Sequence, residues 1–255
     1  MCETGAGTGK ATVLVANHAS LAGWHLTCVE PDRAMAAVLE RNLSSISQLR
    51  LDIVDSGFEE FADSSQAEGR FDLLYAAQAW HWIAPERRAL LAAKVLRHGG
   101  TLALIWNVAS QHPPFLKAAL DEVYGVAADP MTGRNWRPSS GPAVRVPPDA
   151  QASQPFGRKV TPAAGESDYA SELQSSRAFG PVSVVTRPWS LAYDRDAWLE
   201  VLRTHSDHRM MPPGELEPLL ERVGHVVDAN GGEVVVEYDA TAILARRAQR
   251  TGVVC

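Results

Sequence analysis

The chain has 255 residues, a formal net charge of −6, 45% hydrophobic residues and 21% charged residues. That length holds one large α/β core with an insertion or a small cap. The mild acidity speaks against a broad nucleic-acid footprint, and no apolar run is long enough to span a membrane as a helix. Cys2, Cys28 and Cys255 lie far apart without metal-ligand spacing, so no metal is expected. A sparse, odd set of cysteines points to a reducing compartment. With no basic-then-apolar leader pattern, the expected location is cytoplasmic.

The chain opens on Glu3-Thr4-Gly5-Ala6-Gly7-Thr8-Gly9-Lys10, an acid followed by a Gly-x-Gly-x-Gly turn. Glycine serves where the backbone turns sharply and must approach a ligand without a Cβ in the way. A helix is expected over Lys10–Ala22. His25–Glu30 reads as a buried strand ending in an acid. Pro31-Asp32 starts a helix through Arg33–Asn42. Leu49–Val54 and Phe71–Ala77 read as further strands, and Pro85–Leu96 as a helix with proline in its first turn, stopped by His98-Gly99-Gly100. Thr101–Trp106 is a fourth strand. This alternation means a parallel sheet with helices on both faces.

A helix over Pro114–Tyr124 follows. The chain then becomes rich in Pro, Gly, Ser and Ala from about Ala127 to Ser167, a lid or a disordered loop. Val182–Thr186 reads as a strand, Arg195–Arg203 and Glu215–Val227 as helices, Asn230-Gly231-Gly232 as a turn, and Glu233–Arg246 as a long final strand. The expected organisation is a core over residues 1–126, an insertion or lid over 127–178, and C-terminal elements over 179–250 that complete the sheet and cap the acceptor site.

The glycine loop has several readings. A P-loop would need Gly where Thr4 stands and Ser or Thr where Ala11 stands. A dinucleotide loop, as in NAD-dependent oxidoreductases, would need its third glycine where Lys10 stands. A purely structural glycine turn is a further alternative. The Glu3–Gly9 run resembles the first motif of class I S-adenosylmethionine-dependent methyltransferases throughout. Ala77-Gln78-Ala79-Trp80-His81-Trp82, Leu96-Arg97-His98-Gly99-Gly100, Ile105-Trp106-Asn107, Leu202 to His208, and Gly231-Gly232-Glu233 with Leu244 to Arg247 are similar to a small-molecule subgroup of that methyltransferase-domain family, which includes trans-aconitate-type enzymes.

The resemblance implies a Rossmann-like three-layer sandwich. Its seven-stranded sheet is mostly parallel, with an antiparallel last strand. It implies S-adenosylmethionine as cofactor and in-line methyl transfer to a small-molecule acceptor. Glu3, Gly5, Ala6, Gly7 and Gly9 would hold the amino-acid end of the donor. Glu30, with Pro31 beside it, would hold the ribose; Ser56, Gly57 and Phe58 would frame the adenine, although Phe58 reads equally well as a core aromatic. Ala77 and Gln78 would flank the methyl group. His81 is the candidate base or acceptor contact, against a packing role for the whole Trp80–Trp82 run. Trp80, Trp82, Asn107, His205 and His208 would border the acceptor; capping or surface roles are the bland readings of Asn107 and the two later histidines. The Asn/Asp-Pro-Pro-Tyr signature of base- or amide-directed N-methyltransferases is absent after Phe71–Ala77, which lowers the expectation of a nucleic-acid or protein-amide acceptor, and neither nucleic acid nor membrane is an expected partner.

One departure stands out. The family's first strand lies mid-sheet, and here only Met1-Cys2 precede Glu3. The first strand is therefore expected to be largely missing, its neighbours short of ladder bonds, and the true start upstream. The alternative is a degenerate, non-catalytic donor-binding or interaction protein.

Overall fold

A computed structural model describes residues 1–111, 123, 169–204, 208 and 211–249. The expected helix over 114–124 (Val123 apart), most of the expected insertion, and His205 lie outside these residues. The described elements are β1 (Cys2–Thr4), α1 (Lys10–Ala22), β2 (His25–Val29), α2 (Arg33–Leu43), β3 (Arg50–Val54), α3 (Phe58–Asp63), β4 (Phe71–Ala77), a 3-10 turn (Trp80–Trp82), α4 (Pro85–Val95), β5 (Leu96–Gln111), α5 (Tyr169–Ser175), β6 (Phe179–Asp194), α6 (Arg195–Thr204), α7 (Pro213–Ala229) and β7 (Glu233–Arg247).

The strands form one seven-stranded sheet in the order β3-β2-β1-β4-β5-β7-β6. β1 to β5 pair in parallel, and the last strands run antiparallel. The sequence pattern gives these elements their ends. Gly23, with φ +68°, closes α1, and its N–H bonds the Ser20 carbonyl. The Asp32 carboxylate caps α2 by accepting from the Ala34 and Met35 amides at 2.8 and 3.1 Å.

β1 holds the central place with three residues. Cys2, Glu3 and Thr4 pair with Thr27, Cys28 and Val29 on one side, and Cys2 and Glu3 pair with Leu74 and Tyr75 on the other. The Met1 ammonium donates to the His25 carbonyl at 2.7 Å and its carbonyl accepts from Thr27 at 3.0 Å. The strand is shorter than its neighbours, yet the ladder toward β2 is filled, contrary to the expected loss of those bonds.

Other elements also differ from the sequence expectation, among them α5, a helix at Tyr169–Ser175 inside the expected insertion. The six-residue α3 is additional. His98-Gly99-Gly100 do not end a helix in a loop but lie inside β5. There the register shifts, so that Phe71 faces Leu96 while Leu73 faces Thr101. Gly100 is required at this bulge, since a Cβ would come within 2.9 Å of the Arg97 carbonyl oxygen. β6 runs well beyond the expected Val182–Thr186, to Asp194.

The chain divides into two units. The first comprises residues 1–106, 144–186 and 241–255; the second comprises 107–143 and 187–240. Leu26, Cys28, Leu39, Leu43, Tyr75 and Ala103 pack in the core of the first. The core of the second is made by Trp198, Leu199 and Leu202 of α6, Leu219, Leu220, Val223 and Val227 of α7, and Val234 and Val236 of β7. Each such aliphatic side chain contributes about 1.5–3 kcal/mol on burial. Cys2 and Cys28 are free, fully buried thiols on adjacent central strands. Among the described residues no helix is long and apolar enough to cross a membrane.

Candidate active site

In an open parallel sheet, ligands bind beyond the carboxyl ends of the strands. The glycine turn leaves β1 at that end. Gly5, Gly7 and Gly9 all have positive φ, at +65°, +57° and +87°. The Gly5 and Ala6 amides donate to the Val29 carbonyl at 2.9 and 3.4 Å, and the Gly9 amide donates to the Ala6 carbonyl at 3.0 Å. A Cβ on Gly5 would lie 2.5 Å from the Ala79 Cβ, and one on Gly9 would lie 2.7 Å from Leu39 Cδ1. Gly7 is different, because a Cβ there would meet nothing within 4 Å. The direction a Cβ would take from Gly7 is open.

Glu30 ties the turn to β2. It is only 5% exposed. Its Oε2 accepts from the Gly7 amide at 2.7 Å and its Oε1 from the Asp32 amide at 3.0 Å. The Glu30 amide in turn donates to the Val54 carbonyl at 3.0 Å, which brings the end of β3 alongside. There the Ser56 amide donates to Val54 and the Ser56 hydroxyl to the Gly57 carbonyl. Pro31 is exposed beside Glu30. Phe58 is buried as the first residue of α3, so its ring packs in the core. Gly5, Ala6, Gly7, Gly9, Glu30 and Pro31 are thus brought into one region, with Ser56 and Gly57 at its border.

Helix α1 begins at this turn with Gly9 as its N-cap, no side-chain cap and no acid in its first turn. Its opening amides and positive dipole end suit an anion. Beneath it, Glu3 is buried at 1% exposure and accepts from the Tyr75 hydroxyl at 2.7 Å. Burial, chiefly, and the charge of Glu30 push its pKa up to about 7, against the nearby Thr12 and Tyr75 hydroxyls. Tyr75 is a partner that the sequence reading missed. No local pattern could have shown it, since it lies 72 residues from Glu3.

The loop after β4 borders the turn at the Gly5–Ala79 approach. Ala77 closes the strand. Gln78 is exposed in the left-handed region at φ +56°, its amide donating to the Ile105 carbonyl at 2.9 Å. That conformation is uncommon for a side chain other than glycine, and such residues cluster at functional sites. Trp80 is fully buried, whereas Trp82 is 78% exposed. His81 is also exposed, its ring centroid 4.9 Å from that of Trp82. Partial burial of its ring, helped by the charge of Arg88, lowers its pKa.

Asn107 and His208 fall in the second unit. Asn107 Oδ1 accepts from Trp189 Nε1 at 2.8 Å, and His208 is buried. Among the described residues no group of three or more His, Cys, Asp or Glu could hold a metal.

Residues 2–102 match a family model described as a methyltransferase domain. Over these residues the chain is similar to that family. An uncharacterized methyltransferase of Mycobacterium tuberculosis and one of Mycobacterium bovis are each 32% identical over 132 residues, 52% of this chain and 49% of theirs. The chain thus spans about half the length of the curated relatives it matches. Two solved structures resemble the whole chain. A protein described as a type II methyltransferase from Anaeromyxobacter dehalogenans has a TM-score of 0.56 and 16% identity, over 98% of this chain and 90% of that one. The YcgJ protein of Bacillus subtilis has a TM-score of 0.51 and 14% identity, over 97% and 91%. The chain shares the fold of these structures, a Rossmann-like seven-stranded sheet with its last strands antiparallel, and its glycine turn, Glu30 and the Ala77–Trp82 loop lie at the carboxyl ends of the parallel strands.

Proposed function

We propose that the chain transfers a methyl group from S-adenosylmethionine to a small-molecule acceptor. The observation that carries this reading is the open glycine cradle closed by Glu30: the direction a Cβ would take from Gly7 is open and its amide donates to a buried carboxylate, beside an uncapped helix start. The residues present fit the donor. The amides at the start of α1 would hold its carboxylate. Glu30, already oriented by two backbone amides, would accept from ribose hydroxyls, and Ser56 and Gly57 would border the adenine. When bound, the donor supplies an electrophilic methyl group.

The rest falls to the chain. Its task is to hold the acceptor atom in line, which contributes several kcal/mol, up to roughly 7–11 in good cases. His81, exposed and with a lowered pKa, is neutral near pH 7 and so can accept a proton from an acceptor hydroxyl. Trp82 offers the acceptor an exposed aromatic face. Trp80 is withdrawn into the core and supports the turn. The net charge of −6 and the absence of an Asn/Asp-Pro-Pro-Tyr motif favour a small molecule over a nucleic acid. The sparse cysteines favour a cytosolic setting.

Calorimetric titration of S-adenosylmethionine into the purified chain tests this, with S-adenosylhomocysteine alongside. Micromolar binding of both is expected. No binding of either would reject the reading and favour a protein that uses the fold only as an interaction surface.

A further inference from the structure

Behind the exposed His81-Trp82 pair lies a buried charge that the reaction scheme does not use. Arg88, on α4, is 3% exposed. A guanidinium is always charged, so its burial demands partners. Nε donates to Glu172 Oε1 at 2.7 Å, and Nη2 donates to Glu172 Oε2. Nη1 donates to the Trp80 carbonyl at 3.1 Å. The guanidinium carbon lies 5.5 Å from the Trp80 ring centroid and 5.0 Å from that of Tyr169. Tyr169 in turn stacks on Trp106, centroids 4.7 Å apart and planes within 7°.

One side chain therefore grips both the carbonyl and the ring of Trp80, and helix α5 fixes that side chain through Glu172. A buried ion pair is a poor stabiliser, and well-packed apolar residues often do as well or better. A fork that meets a carboxylate on two nitrogens and spends a third on a turn carbonyl supplies direction instead. The turn needs it. Its other bonds are largely internal, Trp82 amide to Ala79 at 3.0 Å and Ile83 amide to Trp80 at 3.3 Å, with Glu59 accepting from the Ala84 amide at 3.1 Å. From this base two exposed rings project.

We propose that Arg88 is a positioning residue of the active site: it fixes the Trp80-His81-Trp82 turn through the Trp80 carbonyl and ring, with Glu172 as its anchor. The functional part of the proposal rests on the methyltransferase reading, in which that turn borders the acceptor. Lysine would be a poor substitute, because a single ammonium lacks the fork that reaches Glu172 and Trp80 together.

The test uses 5-fluorotryptophan-labelled protein and ¹⁹F NMR, with the Trp80 and Trp82 lines assigned by Trp80→Phe and Trp82→Phe. R88M/E172L removes both charges at once and so leaves neither buried alone. In it the Trp82 line is expected to shift and to broaden at least about twofold as the turn samples several conformers. The Trp24 and Trp198 lines should stay in place, which a global loss of stability would not allow. R88K should give an intermediate Trp82 line. An unchanged Trp82 line in folded R88M/E172L overturns the proposal. Should that variant not fold, R88Q/E172Q, which keeps hydrogen-bonding capacity, decides by the same criterion. S-adenosylmethionine affinity of the variant should stay within about threefold of wild type, because the glycine cradle holds no part of the Arg88 cluster. A larger loss would show that Arg88 acts on the cradle and not on the turn. Failure of the wild type itself to bind would sink the methyltransferase reading and leave the ¹⁹F result to judge the positioning claim separately.

Discussion

Replacing Glu30 with glutamine changes one atom and two functions. The carboxylate accepts from the Gly7 and Asp32 amides, at 2.7 and 3.0 Å, while almost fully buried. A hydrogen bond to a charged group contributes about 1.5–3 kcal/mol. The amide of glutamine can place its oxygen toward only one of the two N–H donors, and its NH2 then faces the other. At least one such bond is lost, so stability should fall by about 1.5–3 kcal/mol, and the melting temperature by roughly 3–12 °C for a chain of this size. If the same carboxylate also holds the ribose, donor affinity should fall roughly ten- to a hundredfold. Calorimetric titration with S-adenosylmethionine and a thermal melt of the same preparations read the two effects separately. A lower melting point with unchanged affinity would reduce Glu30 to a brace for the turn. Unchanged values of both would refute the reasoning from buried geometry altogether.

Three further outcomes are expected. Gly5→Ala must accommodate both φ +65° and a contact of 2.5 Å with Ala79, and should lose about 2–4 kcal/mol of stability by denaturant titration, whereas Gly7→Ala, with open space around it, should lose only about 1 and show its larger effect in donor binding. Glu3 is held protonated by the fold up to about pH 7, while in the unfolded chain it ionises near 4.5, so the native state binds the extra proton between these values and stability should drop by roughly 3 kcal/mol as pH rises from 4.5 to 7. Denaturant midpoints across that range should flatten in Glu3→Gln, and parallel curves for the two proteins would refute the assignment. His81 should titrate below the ordinary histidine range by NMR and move upward in Arg88→Met, because one of the two influences that disfavour its charged form is then gone.

What the sequence revealed and what it hid follow the range of the forces involved. The ends of α1 and the span of β4 were legible because glycines, prolines and apolar runs act locally. So was the approach of Glu30 to the glycine turn, which the spacing of an acid at the end of the next strand announces. The six residues of α3 are too few to show a periodicity, and Phe58 could therefore be read toward the adenine when it packs in the core. The glycine pair at 99–100 reads as a stop, but a bulge uses glycine for a different reason, the close carbonyl at Arg97. Trp80 and Trp82 are identical in the sequence. Only the 3-10 turn decides that one is buried and the other exposed. Arg88 looks like any basic residue on a helix, and its burial depends on Glu172, 84 residues away. The short β1 was underestimated because a strand count by length ignores the backbone groups of Met1, which continue the ladder toward β2.

The two buried cysteines give the sheet a reporter of its own. Cys2 and Cys28 sit on the adjacent central strands one register step apart, Cys2 opposite Thr27 and Cys28 opposite Glu3, and burial raises both thiols, that of Cys2 to about 12. An alkylating reagent reacts with thiolate and needs access, so in the closed fold both sulfurs are protected twice over. Their labelling rate therefore measures how often the middle of the sheet comes apart. Followed with and without S-adenosylmethionine, the same two atoms would report on whether a ligand lodged at the far end of β1 holds the strand in place, with no tag or probe added to the chain.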